Sequence, residues 1–126
     1  MLDPALPFRR GYVYLGQFER HLRVIDLHRA LLKRLFADYP EKAEAIIKSV
    51  QNVGRSRRYL SHDPSALYEE KDSAWIAKYS RPLINGLYVD TNLNRIQMRR
   101  ALGAAIRGAG LVNHQDVLII WDGSYR

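Results

Sequence analysis

Asn85-Gly86-Leu87-Tyr88-Val89-Asp90-Thr91-Asn92-Leu93-Asn94-Arg95 is the stretch on which the fold turns. Asn-Gly is a strong tight-turn signal, because both residue types tolerate positive φ. Leu87–Val89 then reads as a short strand by its apolar and aromatic content. One of the asparagines in Thr91-Asn92-Leu93-Asn94 can cap the helix that follows, Arg95–Arg107. Ile96, Leu102, Ala105 and Ile106 form the apolar stripe of that helix, while Arg95, Arg99 and Arg100 face out and Gly108 and Gly110 end it. A turn, a strand, a polar loop and a basic helix in succession predict a mixed α+β chain.

Upstream, the apolar residues from Gln17 to Asp38 recur roughly three and four apart (Phe18, Leu22, Ile25, Leu27, Leu31, Leu32, Leu35, Phe36), which predicts an amphipathic helix ended by Pro40. A second helix, Pro40–Val53, opens with proline and an acidic first turn and stops at Gly54. Residues 1–16 lack a helical period and read as an extended arm, or a short strand at Tyr12–Leu15. After Gly54 a strand of about five residues is expected. Turn chemistry follows at Ser61–Ser65, then two short helical segments, the second over Asp72–Tyr79, broken by Ser80-Arg81-Pro82. Val117–Trp121 reads as a buried strand by its β-branched content, although its length alone also allows a helix. The predicted fold is α+β, with helices packed around a small, mostly antiparallel sheet of about three strands.

The 126-residue chain has one domain's length and, at 47% apolar residues, enough core-forming side chains to fold without a metal or disulfide. It has no cysteine, which excludes disulfide frameworks, thiolate zinc sites and cysteine nucleophiles. Neither a signal peptide nor an apolar run of about eighteen residues is present, so the chain reads as soluble and cytoplasmic, with no membrane partner. The formal charge of +7 divides unevenly: +6 over residues 1–60, −2 over 61–90 and +3 over 91–126. Two separated basic blocks suit a binder of phosphate backbones.

Catalytic constellations are not recognisable. His21 and His28 lie seven apart on the predicted helix and read as a surface or partly packed pair. Ser56, Ser61 and Ser65 near His62 and Asp63 are explained by turn capping. A metal-dependent nuclease could draw on Asp63, Glu69, Glu70 or Asp90, but these carboxylates lack a recognisable spacing. No cofactor, metal or catalytic residue is therefore predicted, and an enzyme is not expected. Two polar clusters remain. Arg55-Ser56-Arg57-Arg58 offers guanidinium forks for phosphate or the guanine edge, and Gly54 beside it allows close backbone approach. Thr91-Asn92-Leu93-Asn94 offers side-chain amides that match the adenine N6/N7 edge, set at a helix N-terminus that suits phosphate. Helix capping by Asn92 or Asn94, and a solvated strand face for Arg57 and Arg58, are the competing explanations.

At these clusters the chain resembles the C-terminal DNA-binding domain of the SeqA family, negative modulators of replication initiation that recognise hemimethylated GATC sites. The likeness spans about residues 31–112: the helix pair, Gly54-Arg55-Ser56-Arg57-Arg58-Tyr59-Leu60 where the family has Gly-Arg-Thr-Arg before an aromatic strand, and Tyr88-Val89-Asp90-Thr91-Asn92-Leu93-Asn94 where it has Thr-Asn-x-Asn before a basic helix. The resemblance implies that residues 26–126 are a DNA-binding domain and 1–25 an N-terminal arm or extension. It implies that Asn92 and Asn94 enter the major groove at the methyl-bearing A·T pair, that Arg55, Ser56 and Arg57 bind flanking bases and phosphates, and that Arg58, Thr91, Arg95 and Arg99 complete the contact. The partner would be double-stranded DNA, adenine-methylated or not, and the protein would be nucleoid-associated. SeqA-like proteins oligomerise through a separate N-terminal domain that residues 1–25 do not match, so the oligomeric state stays open. General DNA binding without methylation sensing, nuclease activity and RNA binding are the alternatives.

Overall fold

Leu15 and Gly16 hold φ values of +47° and +88°, a left-handed pair that folds the chain back in a two-residue turn. The turn joins β1 (Gly11–Tyr14) to β2 (Gln17–Arg20), with Tyr14 opposite Gln17 and Gly11 opposite Arg20. These elements come from a computed structural model, which describes residues 10–54, 58–68 and 71–121. The helix expected from Gln17 therefore starts later, as α1 (Val24–Asp38). Phe18 and Leu22, whose spacing suggested helix, are 38% and 68% exposed, and the backbone of residues 17–20 is paired with β1 instead. Within α1 the stripe Leu27, Leu31, Leu32, Leu35 and Phe36 is buried. A single 3-10 turn at Pro40–Lys42 leads into α2 (Ala43–Val53), which buries Ile46 and Val50 within the predicted span.

β3 (Leu60–Ser61) is shorter than the strand expected after Gly54. Asp63 opens a 3-10 turn at Pro64–Leu67, and Asp72 caps α3 (Ser73–Tyr79) by accepting the Trp75 N–H at 2.9 Å. Ser80-Arg81-Pro82, expected only to break that helix, instead opens β4 (Ser80–Ile84). Proline is tolerated there because β4 is an edge strand. Asn85 and Gly86, with φ of +51° and +77°, make the expected tight turn into β5 (Leu87–Asp90). α4 runs Arg95–Gly108, and Gly110 at φ +86° closes it: its N–H donates to the Arg107 carbonyl at 2.9 Å and the Leu111 N–H to that of Ile106 at 3.0 Å. Val117–Ile120 is β6, a strand rather than a helix.

The fold is α+β, but the one expected sheet of about three strands is two antiparallel sheets among the described residues, ordered β2-β1-β6 and β3-β5-β4. The difference arises because each sheet is built on its own two-residue hairpin and takes its third strand from elsewhere in the chain. β1 and β2, from the segment read as an arm, pair with β6: Gly11 faces Ile120 and Tyr14 faces Val117. Arg10 Nε also donates to the Trp121 carbonyl at 2.6 Å. α1 packs against β1, β4 and α4, so it bridges the two sheets, and α2 lies along α4. One core joins Tyr12 and Tyr14 with Leu31, Ile46, Leu60, Val89 and Leu102. A Cβ on Gly108 would stand 2.8 Å from Ile46 Cα and 2.9 Å from the Ala45 carbonyl oxygen. Only glycine lets α4 approach α2 this closely.

Candidate nucleic-acid interface

β5 ends in a carboxylate with no exposed surface. Asp90 is fully buried, and its Oδ1 accepts the Tyr68 hydroxyl at 2.6 Å and the Asn92 N–H at 2.8 Å. The second contact is an Asx turn, in which a carboxylate takes the amide two residues on and bends the chain out of the strand. The Asp90 N–H donates in turn to the Tyr59 carbonyl at 3.1 Å. Thr91 is anchored on the other side: its N–H and its hydroxyl both donate to the Tyr79 carbonyl, at 2.8 and 2.6 Å. Loop 91–94 is thus fixed from two directions before α4 begins.

Asn94 is the N-cap of α4. Its Oδ1 accepts the Gln97 N–H at 2.8 Å, and the Gln97 side chain accepts the Asn94 N–H at 2.9 Å, a reciprocal capping box. Of the two asparagines weighed as caps, Asn94 fills that role and Asn92 does not. Asn94 is exposed and Asn92 half-buried. The cap leaves the Arg95 and Ile96 N–H groups at the positive end of a 14-residue helix.

Leu60 faces Val89 and the Asp90 N–H reaches the Tyr59 carbonyl, so the residue after Arg58 is tied to the residue before Thr91. Arg58 is exposed. Arg55, Ser56 and Arg57 lie outside the described residues, within the connection between Gly54 and Arg58. From α4, Arg95, Arg99 and Arg100 are exposed, and Arg99 places its guanidinium carbon 5.7 Å from the Trp121 ring centre. Among the described residues Arg58, Arg95, Arg99 and Arg100 form no ion pair. Ile96, in the first turn of α4, is 61% exposed, so its place in the buried stripe is corrected: the helix turns Met98, Ala101, Leu102 and Ala105 inward instead.

The carboxylates weighed for nuclease chemistry have local structural partners. Asp63 accepts the Ser65 N–H and hydroxyl at 3.0 and 2.7 Å, Asp90 is occupied as above, and Glu69 and Glu70 lie outside the described residues. Among the described residues no three His, Asp or Glu side chains converge as a metal-binding group. His21 and His28 do not share a helical face. His21 precedes α1 and holds its Nε2 2.7 Å from Glu19, whereas His28 is completely buried. Asp90, weighed in the sequence only as a nuclease carboxylate, and Tyr68 are the residues that organise the loop. The available signal was an aspartate two residues before Asn92, the spacing of an Asx turn.

Comparisons of the chain with protein-family models, with curated proteins and with solved structures found no match.

Proposed function

We propose that the face formed by Arg58, loop 91–94 and the first turns of α4 binds duplex DNA through the major groove and reads the methylation state of adenine in GATC-like sites. The protein would act on the nucleoid as a regulator of replication or transcription, or as a targeting module, by binding rather than by catalysis. The observation that carries this reading is the Asp90 N–H on the Tyr59 carbonyl: it ties the residue next to exposed Arg58 to the residue that opens the amide-bearing loop 91–94. Exposed Arg95, Arg99 and Arg100 extend the positive surface along α4, and the helix N-terminus suits a phosphate.

The chemistry follows from the groups available. Adenine methylated at N6 keeps one N–H donor and adds a methyl to the groove, so a fixed amide still accepts while a nearby apolar surface registers the methyl. Asn92 supplies an amide, Asn94 keeps a second lone pair on its capping oxygen, and exposed Ile96 supplies apolar surface one turn-edge away. One methyl is worth about 1–3 kcal/mol in such a contact. Fluorescence anisotropy with unmethylated, hemimethylated and fully methylated GATC duplexes tests the reading. Tighter binding of the hemimethylated duplex by roughly tenfold or more is expected, with a log–log salt slope of about −4 to −5 for about five neutralised phosphates. Equal affinities across the three duplexes would reject methylation sensing, and a flat salt response would reject DNA binding altogether.

A second reading, general DNA binding without methylation sensing, is favoured by the capping box, which gives Asn94 a structural task of its own. The same titration separates the two.

A further inference from the structure

α1 and β4 diverge into an open cleft of about 260 Å³, lined by His21, Asp26, Arg29 and Lys33 and, from β4, by Pro82 and Leu83. Pockets that enclose a whole small molecule run to roughly 300–1,000 Å³, so this one suits a single charged group. Arg29 and Lys33 lie one helical turn apart and present their cations on one face. Arg29 Nε is buried and has no hydrogen-bond partner, and neither residue forms an ion pair among the described residues. A buried guanidinium N–H without an acceptor is costly to keep; Nε is closed to solvent, so an oxyanion in the cleft supplies that acceptor once the Arg29 guanidinium turns toward it. The lone carboxylate of the cleft, Asp26, pairs with Arg23 at 3.9 Å. At the rim His21 is fixed by Glu19 at 2.7 Å and by stacking on Tyr12 at 5.6 Å between ring centres. Pro82 offers no N–H and Leu83 is buried, so the β4 wall is apolar and strengthens a charge contact made against it.

We propose that this cleft binds a phosphate group, with Arg29 as the fork and Lys33 as the second cation. Guanidinium geometry matches two phosphate oxygens at once, while the lysine acts as a point charge. The phosphate belongs either to a nucleic-acid backbone or to a small phosphorylated molecule. The site is separate from the α4 face, so the proposal stands or falls independently of methylation reading.

Two measurements on the full chain decide it. In the first, inorganic pyrophosphate is titrated into the wild type, Arg29→Gln and Lys33→Gln while the arginine Nε–H resonances are followed by NMR. Saturable movement of the Arg29 signal, weakened in Lys33→Gln, is expected if the cleft takes small phosphates. Lys33 is exposed, so its variant keeps the test valid should Arg29→Gln fail to fold. In the second, duplex DNA affinity is measured across a salt series. A slope reduced in magnitude by about one in Lys33→Gln is expected if the phosphate is a backbone phosphate. Either result supports the site and names its source. An unmoved Arg29 signal together with an unchanged slope overturns it, and a chain that binds no duplex leaves the pyrophosphate result to decide alone.

Discussion

Asn92 and Asn94 are two residues apart and chemically identical, yet their surroundings assign them different work. Asn94 spends its amide oxygen on the Gln97 N–H, whereas Asn92 is bent out of β5 by its own N–H on buried Asp90. Substitution can therefore separate capping from reading. Asn94→Ala should lose about 1 kcal/mol of stability by removing the cap. Asn94→Ser keeps a capping oxygen and should stay within a few tenths of a kcal/mol of the wild type, but it loses the amide that the proposal sets against adenine. Thermal unfolding and anisotropy on both variants check this: the serine variant is expected to fold normally and lose preference between methylation states. Retained preference would reduce Asn94 to a cap. That Asn94 is the capping asparagine was legible in the sequence, since Gln97 stands three residues on, the spacing of a capping box. The role of Asp90 was not, because an aspartate at a strand end gives no sign of the tyrosine, Tyr68, that arrives from another element.

At the level of elements, the crossing of α2 and α4 is the tightest constraint. Gly108→Ala would drive a Cβ to 2.8 Å from Ile46 Cα, against backbone rather than a yielding side chain. It should cost about 1–3 kcal/mol, the range for overpacking, and chemical denaturation measures it. Gly110→Ala should also destabilise, through its φ of +86° rather than through contact. The helices α1, α2 and α4 were legible because each carries an apolar stripe of the right period. The β4–β5 turn was legible because Asn85-Gly86 is built from residues that accept positive φ. The β1–β2 turn was hidden because Leu15 holds a positive φ that leucine seldom adopts. β4 was hidden by Pro82, which reads as a breaker until the edge position is known. In the candidate site each cluster was visible, but the tie between Tyr59 and Asp90 was not, since it depends on pairing between β3 and β5.

At the scale of the whole molecule, a buried histidine ties stability to pH between neutrality and acid. His28 has no exposed surface, neither ring nitrogen has a hydrogen-bond partner among the described residues, and burial pushes its pKa down from 6.5 to about 3. The unfolded chain takes up a proton below its ordinary pKa and the folded chain does not. This contribution to stability is therefore full above pH 6.5 and is lost as pH falls toward 3. The loss is about 1.4 kcal/mol per pH unit over that window. His28→Leu should remove that slope, so urea denaturation at neutral pH and near pH 5 should show a gap between variant and wild type that widens on acidification. A constant gap would contradict it. The pairing of β1 with β6 has a consequence for how the molecule assembles. β1 has β2 on one side, but its other neighbour is β6, and the Arg10–Trp121 contact beside that pairing spans 111 residues. Closing so long a loop is entropically slow, and a hairpin of two strands alone is marginal in water. The β2-β1-β6 sheet should therefore form after α1, α2 and α4 have packed, so in hydrogen exchange the amides of β1 and β6 are expected to open before those of α4.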